Sequence, residues 1–127
     1  KQVDTLAHVM FGGLTHRPAV ALGSKLIEIT PPELEHLFFS DSGSVAVEVA
    51  IKQSLQYWHA HGASRKRKLL TVCGGYHGDT FGAMAVCDPV NGMHGLFTDV
   101  LAKHVFADKP TIGFGEQWDE SAFGNIE

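Results

Sequence analysis

The stretch that leaves this chain fewest options is Leu37-Phe-Phe-Ser-Asp-Ser-Gly-Ser-Val-Ala-Val-Glu-Val-Ala-Ile-Lys52. The apolar run Leu37 to Phe39 reads as a short buried strand. It breaks at Ser40-Asp41-Ser42-Gly43, and a helical pattern begins directly behind the break. Val47, Ile51, Leu55 and Trp58 fall on one face of that helix, and Glu48, Lys52, Gln56 and His59 on the other. A strand that enters a helix through a small turn leaves the first helical N–H groups without intrahelical acceptors. The positive end of the helix dipole lies there too, so the turn suits a phosphate at Gly43 and Ser44.

A second reading of the same turn stands beside the first. Asp41 or Ser42 could simply cap the helix. The reciprocal partner of a capping box is missing, because Val45 follows Ser42 and Val47 follows Ser44 at three residues. The local sequence leaves both readings open.

Upstream, Lys1 to Met10 reads as the end of a helix, and Phe11-Gly12-Gly13-Leu14-Thr15-His16 as a loop. Pro18 suits a first helical turn, Leu22, Leu26 and Ile29 supply a helical stripe, and Pro31-Pro32 ends it. Downstream, Gly62 closes the long helix, and Glu48 and Lys52 form an i,i+4 pair in the favourable order. Arg65 to Lys68 has no interleaved aromatics, so it reads as a solvated connection into a strand at Leu69 to Cys73. Strand, helix and strand at this spacing predict a βαβ unit with parallel strands. The second strand empties into Gly74-Gly75-Tyr76-His77-Gly78-Asp79-Thr80, with a short helix at Phe81 to Val86 and a further strand within Val100 to Phe106. Trp118-Asp119-Glu120 reads as the start of another helix.

Fourteen glycines in 127 residues, gathered at turns, fit an α/β protein with ligand-facing loops. A net charge of −4 argues against nucleic acid as the main partner, and no apolar run is long enough to span a membrane. Two cysteines in apolar surroundings, Cys73 and Cys87, point to a reduced, cytoplasmic protein. The chain opens at Lys1 and ends at Glu127 without a helix stop signal, so we expect a piece of something longer.

In an open α/β sheet, ligands sit beyond the carboxyl ends of parallel strands, which here brings Ser44 and Tyr76 to one edge. Tyr76 is placed to cover a flat ligand or simply to pack; His77 and Asp79 could orient a ligand or satisfy their own turn. Ser44, His77 and Asp79 are the residue types of a hydrolase triad, but the Gly-x-Ser-x-Gly elbow is absent. His59-x-His61 matches no zinc spacing, and no phosphate-binding Gly-rich fingerprint follows a strand.

The segment Asp41 to Lys52, followed by Gly75-Tyr-His-Gly-Asp-Thr80, resembles the class III aminotransferases, which have the fold-type I pyridoxal-phosphate architecture. His8 to His16, Gln56-Tyr-Trp58 and Phe81 to Pro89 are similar to the branch of that class that passes the amino group of S-adenosylmethionine to 8-amino-7-oxononanoate, forming 7,8-diaminononanoate for biotin. Val45 and Val47, where most of the class has Glu and Asn, are what this branch shows. The resemblance implies an α/β fragment: residues 1–127 as one partial, N-terminal part of the large cofactor-binding domain, with 108–127 a loop and a truncated helix start.

It also implies that Gly43, Ser44 and Val45 hold the phosphate of pyridoxal 5'-phosphate, that Tyr76 and His77 line the cofactor, and that Tyr76 and Asp79 face the substrate. A homodimer is implied, with the loop Phe11 to His16 towards the neighbouring subunit. The Schiff-base lysine is implied to lie beyond Glu127, so no catalytic residue is expected here, and turnover by residues 1–127 alone would contradict that expectation. The Asp that pairs with the pyridine nitrogen is implied to lie beyond Glu127 too, and Lys52, Lys103 and Lys109 match neither context.

Overall fold

The computed structural model describes residues 1–92 and 95–119. They fall into two compact units, residues 1–39 and the chain from Ser40 onwards.

The first unit is built on α1 (Gln2–Thr5) and α2 (Arg17–Ile29). Helix α2 starts where His16 turns its ring back, so that Nδ1 accepts the Ala19 amide proton at 3.2 Å. Pro18 sits in the first turn, where a missing N–H costs nothing. At the other end the Thr30 hydroxyl donates to the Leu26 carbonyl at 2.9 Å, and Pro31 follows. The buried face differs from the expected stripe. Ala19 and Gly23 are buried and Leu26 half-buried, whereas Leu22 and Ile29 are exposed. The reason is steric: a Cβ at Gly23 would lie 3.3 Å from Leu37 Cδ1 and 3.8 Å from Phe39 Cζ, so the large side chains close on the helix where it is thinnest.

The expected strand at Leu37 to Phe39 does not form among the described residues. These three are 41%, 68% and 36% exposed and carry no ladder. An apolar run reports a preference for burial, whereas a strand needs a neighbour for its N–H and C=O groups.

In the second unit α3 spans Gly43–Ala60, close to the expected limits. His61 and Gly62 finish it: the Gly62 amide donates to the His59 carbonyl at 3.1 Å, and Gly62 takes φ +74°. The basic run that follows is exposed, with Lys66 Nζ 3.4 Å above the Trp58 ring. Strand β1 (Leu70–Val72) then pairs in parallel with β2 (Val105–Ala107), Leu70 opposite Val105 and Val72 opposite Ala107. Strand β1 falls inside the expected Leu69 to Cys73 and β2 overlaps the end of the expected Val100 to Phe106, but their pairing differs from expectation. The crossover between parallel partners runs through α4 (Phe81–Ala85) and a 3₁₀ turn at Gly95–Phe97 rather than through α3.

Helix α4 packs on α3, and the core of this unit is α4 with the residues just after it: Ala83, Met84, Ala85, Val86 and Cys87 are buried. Thr71 Oγ1 donates to the Val86 carbonyl at 3.0 Å, which fastens that core to β1. Trp118 and Asp119 lie outside regular structure, and the rest of the expected final helix falls outside the described residues. Among the described residues no helix is long and apolar enough to cross a membrane.

Candidate active site

The first turn of α3 settles how its amides are used. Ser42 has extended angles (φ −151°, ψ 161°), its carbonyl accepts from Ala46 N–H at 3.0 Å, and its hydroxyl accepts from Val45 N–H at 3.2 Å. The capping reading therefore holds for Ser42, and it removes Val45 from the set of available donors. The amides of Gly43 and Ser44 have no acceptor among the described residues, Gly43 is exposed, and a Cβ at Gly43 would meet nothing within 4 Å. Two N–H groups at the positive end of an eighteen-residue helix remain open to an anion.

The loop from Gly74 to Thr80 lies against this turn. Asp79 N–H donates to Ser44 Oγ at 3.1 Å, and Gly78 is buried with φ +123°. A Cβ at Gly78 would clash with Ser44 Oγ and stand 2.9 Å from Ser44 Cα. Only glycine lets the loop come this close. The Ser44 hydroxyl accepts from the Asp79 main chain, and among the described residues it makes no hydrogen bond with His77, so the hydrolase-triad arrangement is not formed.

Tyr76 projects from the loop with 65% of its surface exposed, and its hydroxyl donates to Asp79 Oδ2 at 2.9 Å. That hydrogen bond, with lesser help from desolvation and the Asp79 charge, raises the phenol above its usual range, so it stays protonated at neutral pH. The exposed His77 folds its ring towards Gly75, where a Cβ would stand 2.9 Å from Nε2. The structure therefore brings Gly43, Ser44, Val45, Tyr76, His77 and Asp79 into one neighbourhood, with Val45 contributing no free amide.

Three residues to which the sequence assigns no part in the site hold the loop and the start of α4 in place. Asp88 is buried; its Oδ2 accepts from Gly74 N–H at 2.6 Å and its Oδ1 from Val90 and Asn91 N–H at 2.8 and 2.7 Å. The Asn91 and Val90 amides, ahead of Gly74 and against the opposing effect of burial, bring its carboxyl down to about 2. Cys87, 2% exposed, accepts from His77 N–H at 3.2 Å. Glu48 Oε1 accepts from Gly82 N–H at 2.7 Å, at the start of α4, and makes no ion pair with Lys52.

The Thr80 hydroxyl, buried without a well-formed hydrogen bond, lies near enough to Glu48 to be the main influence holding its carboxyl below the usual range. The Gly82 and Ala83 amides and the Lys52 charge add to this, and burial opposes it. The Asp-Pro-x-Asn signature is a usable turn signal for Asp88. Nothing local could reveal Glu48, whose partner is 34 residues away.

Two open donor amides, with a loop that carries an exposed aromatic ring lying against the same helical turn, make an arrangement that fits the phosphate ester of a flat heteroaromatic ring. Comparison with known proteins names the family, since the family model for "Aminotransferase class-III" matches residues 1–127. The chain belongs to the class-III aminotransferases. It is 56% identical over 120 residues to the adenosylmethionine-8-amino-7-oxononanoate aminotransferase of Buchnera aphidicola, covering 94% of this chain and 28% of that protein.

A solved aminotransferase of the same name from Methanocaldococcus jannaschii superimposes with a TM-score of 0.79 at 39% identity, over 87% of this chain and 25% of that one. An amine transaminase from an uncultivated Pseudomonas species, solved in its PLP-bound form, gives 0.70 at 32% identity, over 86% and 25%. The chain spans about a quarter of the length of these relatives. The α/β fold implied by the resemblance is the one that class-III transaminase structures share.

Proposed function

We propose that the protein carrying these residues uses pyridoxal 5'-phosphate to transfer the amino group of S-adenosylmethionine to 8-amino-7-oxononanoate, giving 7,8-diaminononanoate in biotin synthesis. The observation that carries this reading is the likeness to the Buchnera and Methanocaldococcus enzymes, whose names state donor and acceptor. Bound pyridoxal phosphate supplies the electron sink that amino transfer requires.

This chain's share of the work is binding and orientation. The Gly43 and Ser44 amides, backed by the dipole of α3, hold the phosphate. The exposed Tyr76 ring covers the flat ring of the cofactor, and His77 borders it. Asp79 keeps the Tyr76 hydroxyl proton in place, so that a neutral phenol rather than a phenolate faces the substrate amine. Acid–base steps on the substrate carbon belong to residues other than those described.

The same reading expects a cytoplasmic location and a homodimer, and sedimentation of the purified protein would test the homodimer. The functional test is an assay of the protein encoded by the reading frame around residues 1–127, comparing S-adenosylmethionine with β-alanine and ornithine as donors. Transfer to 8-amino-7-oxononanoate from S-adenosylmethionine is the expected result. Preference for β-alanine or ornithine would make it a different class-III aminotransferase, and binding of the cofactor without transfer from any donor would leave only a phosphate-ligand module.

A further inference from the structure

Three main-chain donors of this loop, and a fourth at the start of α4, are met by side chains. The N–H groups of Gly74, His77, Asp79 and Gly82 go to Asp88, Cys87, Ser44 and Glu48 in turn. Two of these acceptors are consecutive, Cys87 and Asp88, directly after α4, and they are among the most buried residues of the described chain. Asp88 grips the loop twice: its carboxylate takes the Gly74 amide, and its own amide donates to the Gly75 carbonyl at 3.0 Å. The other carboxylate oxygen is fixed by Val90 and Asn91, so the group cannot turn without breaking several bonds. Tyr76 is the next residue after this grip, and His77, held by Cys87, is the one after that.

We propose that Asp88, with Cys87 beside it, is a positioning residue for amino transfer: through the Gly74 and His77 amides it fixes the loop that presents Tyr76 and Asp79 against the first turn of α3. This rests on the function proposed above. A charged acceptor makes shorter and stronger hydrogen bonds than a neutral one, and the 2.6 Å contact to Gly74 is of that kind. Reaction geometry tolerates little slack, so a loop loosened by a fraction of an ångström loses rate more than it loses cofactor.

The test compares wild type, Asp88→Asn, Cys87→Ala and Cys87→Ser in the full protein. In the cofactor-free form, amide exchange of residues 74–80 should rise at least tenfold in Asp88→Asn and in Cys87→Ala. It should stay near wild type in Cys87→Ser, which retains an acceptor, and in α3 throughout. In the loaded form, kcat should fall at least tenfold in Asp88→Asn while the Kd for pyridoxal phosphate, read by absorbance, moves less than threefold. In a Tyr76→Ala background the same substitution should cost far less, because the ring it positions is gone.

Unchanged exchange across 74–80, or losses that multiply in the double variant, overturns the proposal. Should Asp88→Asn fail to fold, the two Cys87 variants carry the same test. If wild type transfers nothing from S-adenosylmethionine, the substrate reading fails, and the kinetic arms run with the donor the protein accepts.

Discussion

Replacing Gly78 with alanine separates two costs that the structure superimposes at one position. The first is conformational: φ +123° is a backbone state that an L-residue adopts at a cost of about 1–3 kcal/mol. The second is steric. The new methyl group would press on Ser44 Cα, a helix backbone atom that cannot rotate away, and overpacking of this kind costs about 1–3 kcal/mol. Gly62 supplies the control, because it also has positive φ (+74°) but a Cβ there meets nothing within 4 Å. Gly62→Ala should therefore show the conformational cost alone, about 1–2 kcal/mol.

Gly78→Ala should cost about 2–4 kcal/mol, the upper figure limited by an escape route. The loop can lift off α3 once the strain exceeds what its anchoring hydrogen bonds contribute, at about 0.5–1.5 kcal/mol each. Urea unfolding followed by circular dichroism reads both variants. Affinity for pyridoxal phosphate should fall in Gly78→Ala and stay unchanged in Gly62→Ala. Equal destabilisation by the two substitutions would refute the close approach of Gly78 to Ser44, and so the placement of the loop on the helix.

Further outcomes follow from other residues. Asp88 has a folded-state pKa of about 2, below its unfolded value, so the stability it contributes is full above about pH 4 and is lost as pH falls through 2. The stabilities of wild type and Asp88→Asn, read by urea unfolding across a pH series, should then differ by a constant amount above about pH 4 and converge below about 2. Glu48→Ala removes the acceptor for Gly82 and should lower stability by about 1 kcal/mol by thermal melting, whereas Lys52→Ala should change little because no ion pair is lost. Gly23→Ala sets a gain in helix propensity of about 1 kcal/mol against a 3.3 Å contact with the mobile end of Leu37, so its melting point should move little. Gly23→Val has no such balance and should be clearly destabilising. Tyr76→Phe keeps the ring and removes the donor to Asp79, so cofactor affinity should hold while the rate with substrate falls.

The parts legible in the sequence are those governed by near neighbours. Ser42 before α3, Gly62 after it, Pro18 and Pro31 around α2 and the glycine-bounded loop at Tyr76 all act within a few residues, so their limits are readable. The family resemblance adds the candidate site residues, and the loop that carries Tyr76, His77 and Asp79 lies against Ser44 in the fold. What stays hidden depends on distant partners. Leu37 to Phe39 has the composition of a strand, but ladder bonds require a second chain segment. The partner of β1 is β2, 35 residues further on. The buried side of α2 is set by Leu37 and Phe39 closing on Gly23, which periodicity within α2 does not encode. Glu48 has the spacing of a helix-surface ion-pair partner for Lys52 and is instead the acceptor for an amide on another helix.

Because donors of the Tyr76 loop and of the start of α4 are met by side chains at positions 44, 48, 87 and 88, the segment is not a portable module. Grafting Gly74 to Gly82 alone into another scaffold would transplant the letters without the shape. A chimera that swaps this segment between relatives should keep its conformation only when the four supporting positions travel with it.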